Sequence, residues 1–322
     1  MNKILQNKQI KIKKRDHSQQ IYGMLFAAIP ILGFIIFGIV PLVFSLIMSF
    51  SEVPSFYFND IKSYPVDKLF TNYIEIFQDE KFYIAIKNTL YVILSLPLSM
   101  IIGLVLAVIL NQKIKGSKAF RTIFFIPYVC SIVAISLMWR TMLDKNYGVI
   151  NQFLSLFGIE NIAWLTDPKY FMPAMIIMIT WCNVGFNLIL YSAALTGISP
   201  AIYEAAEMDG AGTFRKFFKI TLPLLSPTTF YLLIVGLIGC LQEFARFQAI
   251  NAVNSNLISP TGPNDSGLTI VFYLYNKAFT EAGGLGEAAS VSWILTIVTI
   301  VLTAINFIGS KKWVYSNEKK SR

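Results

Sequence analysis

Six long apolar segments without a charged side chain alternate with charged or polar segments along this chain. An α-helix rises 1.5 Å per residue, so roughly 20 apolar residues can cross about 30 Å of hydrocarbon. Each segment reaches about that length, and the pattern therefore predicts six transmembrane helices. The predicted spans are 22–50, 88–110, 122–139, 170–195, 220–242 and 291–310.

The composition supports a location in a bilayer. Hydrophobic residues make up 55% of the 322 residues and charged residues only 14%, and the mean hydropathy is +0.59. Soluble domains carry more charge than this. We therefore predict an all-α membrane protein with a single transmembrane domain at 21–312, a basic cytoplasmic tail at 1–20 and a second cytoplasmic tail at 313–322.

The basic residues predict the orientation of the spans, because Lys and Arg near span ends are retained in the cytoplasm. If the N-terminal tail, 111–121, 196–219 and 311–322 share one side, that side holds 18 of the 27 basic residues but 5 of the 18 acidic ones. This predicts that both termini are cytoplasmic. The excess of basic residues is thus explained by the orientation of the spans in the membrane, and no nucleic-acid partner is expected.

Catalytic chemistry has little support in the sequence. His17 is the only histidine and lies in a charged tail, which leaves no histidine-based metal site and no Ser/His/Asp triad. The three cysteines lie in apolar segments, so we expect them to be small buried apolar residues; they are Cys130, Cys182 and Cys240. We therefore expect neither a metal site nor a membrane-embedded enzyme.

Two segments on the predicted outer side are unusually long. The first, 51–87, mixes charges with aromatic residues such as Phe56 and Tyr73, and the second, 243–290, has a Ser/Pro/Gly/Asn-rich part from Asn254 to Gly267. Loops of more than about 15 residues are uncommon without a functional reason. We expect these segments to form a docking surface, and simple connectors are the alternative.

The cytoplasmic segment between the fourth and fifth predicted spans, 199–223, predicts two short helices. Ser199 is placed to cap a helix with Pro200 at its first position, and Gly210 can take the left-handed conformation that ends it. Thr213 can cap a second helix that leads into the fifth span. A rigid projection of this kind is suited to contact with a cytosolic partner, and an ordinary interhelical loop is the alternative.

The residue spacing in this segment decides between those interpretations. The chain has Glu204-Ala-Ala, three residues, Gly210, nine residues and then Ile220-x-Leu-Pro223. This resembles the EAA loop of permeases of ATP-binding-cassette (ABC) importers. The resemblance implies a coupling helix that fits a cleft of a nucleotide-binding subunit, with contacts from Tyr203, Glu204, Ala205, Ala206, Asp209, Gly210, Ala211, Phe217, Leu222 and Pro223.

Weaker similarities to the maltose-type sugar permeases run along most of the chain. They include Asn88-Thr89, Phe125-Ile-Pro127, Tyr147-Gly-Val-Ile-Asn151 and Thr261-Gly-Pro263, which lacks one glycine of that family's turn. The resemblance implies a multi-pass protein of the bacterial plasma membrane, in contact with lipid, that pairs with a second homologous permease, two ATPase subunits and an extracytoplasmic solute-binding protein. ATP and Mg²⁺ would be bound by those partner subunits, since this chain has no phosphate-binding Gly-x-x-x-x-Gly-Lys loop.

Candidate substrate contacts are polar residues at the depth of the membrane. Asn183, Asn187 and Tyr191 recur every four residues, so they share one helix face and need partners in a bilayer, either a sugar or a neighbouring helix. Gln242 and Glu243 are further candidates at the outer end of the fifth span. Arg246 is interpreted as a residue that marks the membrane boundary. Trp181 offers an aromatic face for a sugar ring, but it is interpreted as an interfacial or packing residue.

The substrate class has alternatives. A glycerol phosphate or another polyol is the main alternative to a sugar or oligosaccharide, although the apolar segments offer no basic pocket for a phosphate. A secondary transporter driven by an ion gradient would need paired ionisable residues within the spans, and the six segments contain none.

Overall fold

The computed structural model describes residues 17–53, 61–112, 114–252, 260–281 and 283–315, and most of them are helical. Residues 1–16 and 316–322, and with them most of the two predicted tails, lie outside the described residues. The same holds for Phe56 and for the first part of the polar stretch that begins at Asn254.

The first span stands apart from the rest of the described chain. It consists of α1 (His17–Phe34), one turn of π-helix (Ile35–Ile39) and α2 (Val40–Ser49). In its most apolar continuous stretch of 18 residues, no residue is buried by the described chain. Only the outer end of α2 packs closely, against α16 (Leu285–Trp313).

A small outer element follows this span and holds its end in place. Strand β1 (Ser51–Glu52) pairs antiparallel with β2 (Lys62–Ser63), and a 3₁₀ turn (Val66–Lys68) leads into α3 (Thr71–Gln78). The buried Asn72 side chain donates hydrogen bonds to the carbonyls of Ser49, at 3.0 Å, and Ser51, at 3.1 Å. Its amide thereby satisfies carbonyls that the end of α2 leaves without a helical partner.

The centre of the fold is the pair of second and fourth spans. The second is a 32-residue apolar unit made of α4 (Glu80–Ile93) and α5 (Ser95–Asn111), and the fourth is the 29-residue helix α9 (Pro168–Thr196). Helix α5 packs along α9, which buries more of its own length than the other continuous spans. The second span begins at Glu80, eight residues before the predicted start, because the polar end of α4 extends beyond its charge-free part.

Two of the predicted spans are bent. Helices α6 (Ser117–Val129) and α7 (Ile132–Met142) meet at 99°, because Cys130 has an extended backbone where the chain would otherwise continue as a helix. Residues 213–241 also bend, by 60°, between the stretch Thr213–Leu224 and α13 (Ser226–Leu241). The described chain thus has four continuous helices long enough to cross a membrane, or six spans if each bent pair counts as one.

The second outer segment folds back onto the bundle. After α13 come α14 (Ala245–Ala252), a 3₁₀ turn (Pro263–Asp265) and α15 (Ile270–Phe279), and α14 packs on α7 while α15 packs on α4 and α16. The Asn88 side chain donates to the carbonyls of Asp265, at 2.9 Å, and Leu268, at 3.0 Å. The backbone N–H of Ile270 donates to the Thr89 hydroxyl at 2.9 Å. Asn88 and Thr89 therefore tie this segment to the second span.

One ammonium group joins several outer elements. Lys277 Nζ lies 2.8 Å from a Glu287 carboxylate oxygen, 3.0 Å from one of Glu281 and 3.5 Å from one of Asp79. Burial opposes the charged form of Lys277, but the hydrogen-bonded carboxylates of Glu287 and Glu281 raise its pKa well above the usual range. The lysine therefore stays charged and links the start of α4 to α15 and α16.

The cysteine prediction is partly wrong. Cys182 and Cys240 are buried, as expected, whereas Cys130 is exposed. Cys130 lies at the break between α6 and α7, where its backbone is extended.

Candidate functional site: the 199–223 loop and a polar cavity between spans

The 199–223 loop contains the two predicted short helices. Helix α10 (Pro200–Met208) begins after Ser199, and Gly210 takes the predicted left-handed conformation with φ +75°. The predicted side-chain caps are wrong: the Ser199 hydroxyl makes no capping bond, and Gly212 occupies the position expected for Thr213. Helix α11 (Thr213–Lys216) continues through a π-helical turn (Phe217–Thr221) into α12 (Leu222–Leu224).

Helix α10 is held to the base of the fifth span by two side-chain contacts. Lys216 Nζ lies 2.6 Å from a Glu207 carboxylate oxygen, and the hydroxyls of Tyr203 and Thr221 are 3.0 Å apart. Thr221 is the last residue of the π-helical turn, at the point where the chain enters the span. A displacement of α10 would therefore act directly on this turn.

The outward surface of the loop combines acidic and apolar side chains. Glu204, Ala205 and Asp209 are exposed, and Met208 is 90% exposed. Phe214 is 82% exposed on the neighbouring helix α11. Apolar groups that cluster on an exposed projection are typical of a surface that a partner covers.

The remaining predicted contact residues lie at the base of the loop. Ala206 is buried, Tyr203, Ala211, Phe217 and Leu222 are half-buried, and Pro223 is exposed. They support the exposed surface and do not form one continuous patch with it.

A cavity of about 370 Å³ lies between α5, α6, α9 and α13. Four of the five predicted substrate residues line it: Asn183, Asn187, Gln242 and Glu243. Tyr191 does not line it, because its side chain is buried and its hydroxyl donates to the Thr229 hydroxyl at 3.3 Å. Tyr191 thus has a neighbouring helix as its partner, the second of the two possibilities that the sequence left open.

Arg246, for which the sequence predicts a position at the membrane boundary, lines the cavity as well. Its guanidinium donates to the Glu243 carboxylate, and the Arg246 backbone N–H lies 3.3 Å from the other carboxylate oxygen. The side chains of Glu243 and Arg246 are only 9% and 17% exposed. Their i,i+3 spacing was the available signal for this pair, and it could have been recognised beside the polar face of α9.

One wall of the cavity is aromatic. The rings of Tyr128 and Phe186 stack with centroids 4.8 Å apart and planes inclined by 14°. Trp181 instead lines a separate apolar cavity of about 480 Å³ and meets Trp139 edge to face at 5.7 Å. Trp181 therefore does not line the polar cavity.

Comparison with known proteins identifies the class. Residues 99–310 match the family of binding-protein-dependent transport system inner membrane components, and the chain belongs to this family. It is therefore a transport subunit of the bacterial plasma membrane with several membrane-crossing helices, and its relatives are permease subunits of ABC transporters, not enzymes.

Individual relatives cover most of the chain. The lactose transport system permease of Rhizobium radiobacter is 35% identical over 245 residues, which are 75% of this chain and 80% of that protein. The sn-glycerol-3-phosphate transport system permease of Yersinia pestis is 30% identical over 239 residues, 74% of this chain and 78% of that protein.

Solved structures share the fold. A chain of a bacterial ABC transporter involved in the import of the acidic polysaccharide alginate superposes with a TM-score of 0.71 at 30% identity, over 92% of this chain and 96% of that one. A second structure shows a bacterial alginate ABC transporter in complex with an alginate pentasaccharide-bound periplasmic protein. It has the same TM-score at 28% identity and covers 92% and 95% of the two chains.

Proposed function

We propose that this chain forms half of the translocation pathway of an ATP-driven importer for a sugar or oligosaccharide. The carbohydrate importers among its relatives support this substrate class. The observation that carries the proposal is the cavity, since it combines amide side chains with an aromatic wall between apolar spans. Pockets that bind small hydroxylated ligands commonly combine an apolar lining with a few placed polar groups.

The topology we propose has six spans and both termini in the cytoplasm. Each of the two bent pairs then counts as one span, the tails at 1–20 and 313–322 flank a transmembrane domain at 21–312, and α10 projects into the cytoplasm. The excess of basic residues on that side supports this orientation.

The 199–223 loop acts as the coupling element of the importer. Closure of two ATPase subunits, which bind ATP and Mg²⁺, moves α10, and the Tyr203–Thr221 contact passes the displacement to the fifth span. The fifth span forms part of the cavity wall, so the cavity alternates between access from outside and access from the cytoplasm. Exposed Met208 and Phe214 support a partner surface at this loop.

The remaining partners follow from what the chain leaves uncovered. The described chain buries none of the most apolar 18-residue stretch of the first span, which supports a second homologous permease that covers it. The alginate importer structure with its bound periplasmic protein supports a solute-binding protein at the outer face. At that face, the two long outer segments, 51–87 and 243–290, form the docking surface for the solute-binding protein.

Glycerol phosphate fits the cavity less well, although one relative transports it. Among the described residues that line the cavity, Arg246 is the only cation, and its guanidinium is bound by Glu243. A phosphate would have to compete with this carboxylate for the same donors.

The coupling assignment can be tested by co-purification of partner proteins with the full-length chain from its native membrane. A variant with Glu204→Ala and Met208→Asp changes the exposed face of α10. Leu156→Asp is a matched control, because Leu156 is 78% exposed and follows α8 (Val149–Ser155), across the fourth span from α10.

We expect ATPase subunits and a second permease to come with the wild-type chain and with the control, and the ATPase subunits to be lost from the α10 variant. Equal recovery of ATPase with all three proteins would refute the coupling role. If no ATPase accompanies the wild type while the chain alone moves sugar along an ion gradient, the importer assignment is wrong.

A further inference from the structure

The polar cavity contains two opposite charges that the proposed pathway does not require. Glu243 is the second residue after the end of α13, and Arg246 lies in the first turn of α14. Among the described residues that line the cavity, these two are the only ones that carry a charge. The net charge of the lining is therefore zero.

The pair is fixed in its position. The Thr269 hydroxyl donates to the Glu243 carbonyl at 2.7 Å, which ties the residue to the start of α15, and the next residue after Arg246, Phe247, is fully buried. Both oxygens of the Glu243 carboxylate accept from Arg246, one from the guanidinium and one from the backbone N–H. If either side chain moved away, the charge of the other would remain in a poorly solvated site without a partner.

The pair determines what kind of ligand the cavity accepts. A free guanidinium is a strong partner for a carboxylate or phosphate, and here the Glu243 carboxylate already binds one of its nitrogens and neutralises its charge. An anionic ligand would bring a second negative charge next to the Glu243 carboxylate, and the two negative charges repel each other in a partly buried site. Hydroxyl groups have no such conflict, since Asn183, Asn187 and Gln242 can both donate and accept.

From this geometry we propose that the Glu243–Arg246 pair is a charge filter that selects neutral sugars over uronates and sugar phosphates. The Glu243 carboxylate is the determinant, because it neutralises the one cation that would otherwise attract an anion. The inference rests on the proposed function, in which this cavity holds the sugar during transport. It adds the class of sugar, uncharged and hydroxylated, and the residues that select it.

The test compares two disaccharides that differ at one group. Cellobiose is neutral, and in cellobiouronate one hydroxymethyl group is replaced by a carboxylate. Binding of each to the full-length chain with its co-purifying membrane subunits, in lipid nanodiscs without the soluble binding protein, is measured by saturation-transfer NMR. The variants are Glu243→Gln, Glu243→Asp and Arg246→Gln, and their thermal unfolding in detergent is recorded alongside.

We expect the wild type and Glu243→Asp to prefer cellobiose. Glu243→Gln should shift the ratio of dissociation constants toward cellobiouronate by about tenfold or more, because the guanidinium becomes free to bind the carboxylate. Arg246→Gln should strengthen the preference for cellobiose, since Glu243 then faces the ligand without its counter-ion.

Two results would overturn the filter while the proposed pathway survives. One is equal binding of both sugars by the wild type, and the other is an unchanged ratio in a Glu243→Gln variant that unfolds at the wild-type temperature. If the wild type binds neither cellobiose nor cellobiouronate, nor any neutral sugar in a panel of mono- and disaccharides, the assignment of the cavity to the pathway is itself wrong.

Discussion

Gly185 lies where α9 passes closest to the backbone of α6, and Gly185→Ala is predicted to force these helices apart. A Cβ atom at this position would lie 2.1 Å from the carbonyl oxygen of Phe124 and 2.7 Å from the Cα of Phe125. Both obstacles are backbone atoms, so no side-chain rotation can remove the clash. Small residues allow such close approaches between membrane helices, and this one sits beside the stacked Tyr128 and Phe186 rings.

The cost follows from the required displacement. Ordinary carbon–oxygen contacts begin near 3.4 Å, so α6 must move by about 1 Å or more, against the packing of a whole helix. Inserting a methyl group into a closely packed site costs about 1–3 kcal/mol. The contact is with backbone, so we place Gly185→Ala at the upper end, a loss of about 3 kcal/mol of unfolding free energy.

Gly239→Ala is the matched control. Gly239 lies inside α13, and nothing stands within 4 Å of the position that its Cβ would take. Both substitutions bring the same favourable change in helix propensity, about 0.5–1 kcal/mol. The difference between the two variants therefore isolates the steric term.

The assay is reversible unfolding in mixed detergent and SDS micelles, followed by tryptophan fluorescence, with the unfolding free energy extrapolated to zero SDS. We expect Gly239→Ala to equal or exceed the wild type and Gly185→Ala to fall well below both. Equal unfolding free energies for the two variants would show that α6 and α9 do not pack as closely as described.

Three further predictions concern the outer ion cluster and the coupling loop. Lys277→Gln should lower the unfolding free energy at pH 7 by about 2 kcal/mol, less than for a fully buried pair because its carboxylate partners are partly exposed; a loss below about 0.5 kcal/mol would contradict this. Burial favours a raised pKa for Asp79, but hydrogen bonds from the Tyr273 hydroxyl and the Lys81 N–H outweigh it and lower the pKa. Its stabilising effect is therefore present at neutral pH and is lost as pH falls from 3.8, the usual aspartate value, through the lowered pKa of the folded state. Asp79→Asn should therefore lower the melting temperature more at pH 7 than at pH 3, and a constant difference would refute the assignment. Gly210→Ala should cost about 1 kcal/mol because its φ is positive. Unfolding is compared with that of Gly212→Ala, whose φ is negative and which should cost less, since it changes only the cap of α11.

The sequence predicts the apolar segments well because hydropathy reports which stretches avoid water. Pro127 and Pro223 predict kinks in the third and fifth spans, and both spans are bent. Hydropathy does not report the direction of a helix, so the size of the bends, 99° at Cys130 and 60° after Leu224, was not predicted. Pro127 lies near the first break, but proline also occurs in the continuous part of α9, at Pro173. Proline alone therefore does not distinguish a break from a tolerated kink.

The loop and the cavity differed in how far they could be predicted. The turn at Gly210 was readable because its conformation is a local property of a few residues. The cavity environment of Arg246 was not predicted because much of the cavity wall comes from α5, α6 and α9, which are distant from Arg246 in sequence. Asn183 and Asn187 were predicted as cavity residues because they share one face of α9. The polar side chains on the opposite wall of the cavity come from another part of the chain, so only the three-dimensional structure shows that they face α9.

The attachment of the first span to the last determines when the first span can reach its final contacts during synthesis of the protein. The Ser49 carbonyl that ends α2 accepts from the Ser290 hydroxyl at 3.0 Å, across 241 residues of sequence. Chain segments fold as they leave the ribosome, from the N-terminus onward. This bond cannot form until the last span has been synthesised, so through most of translation the end of α2 lacks its packing partner, α16.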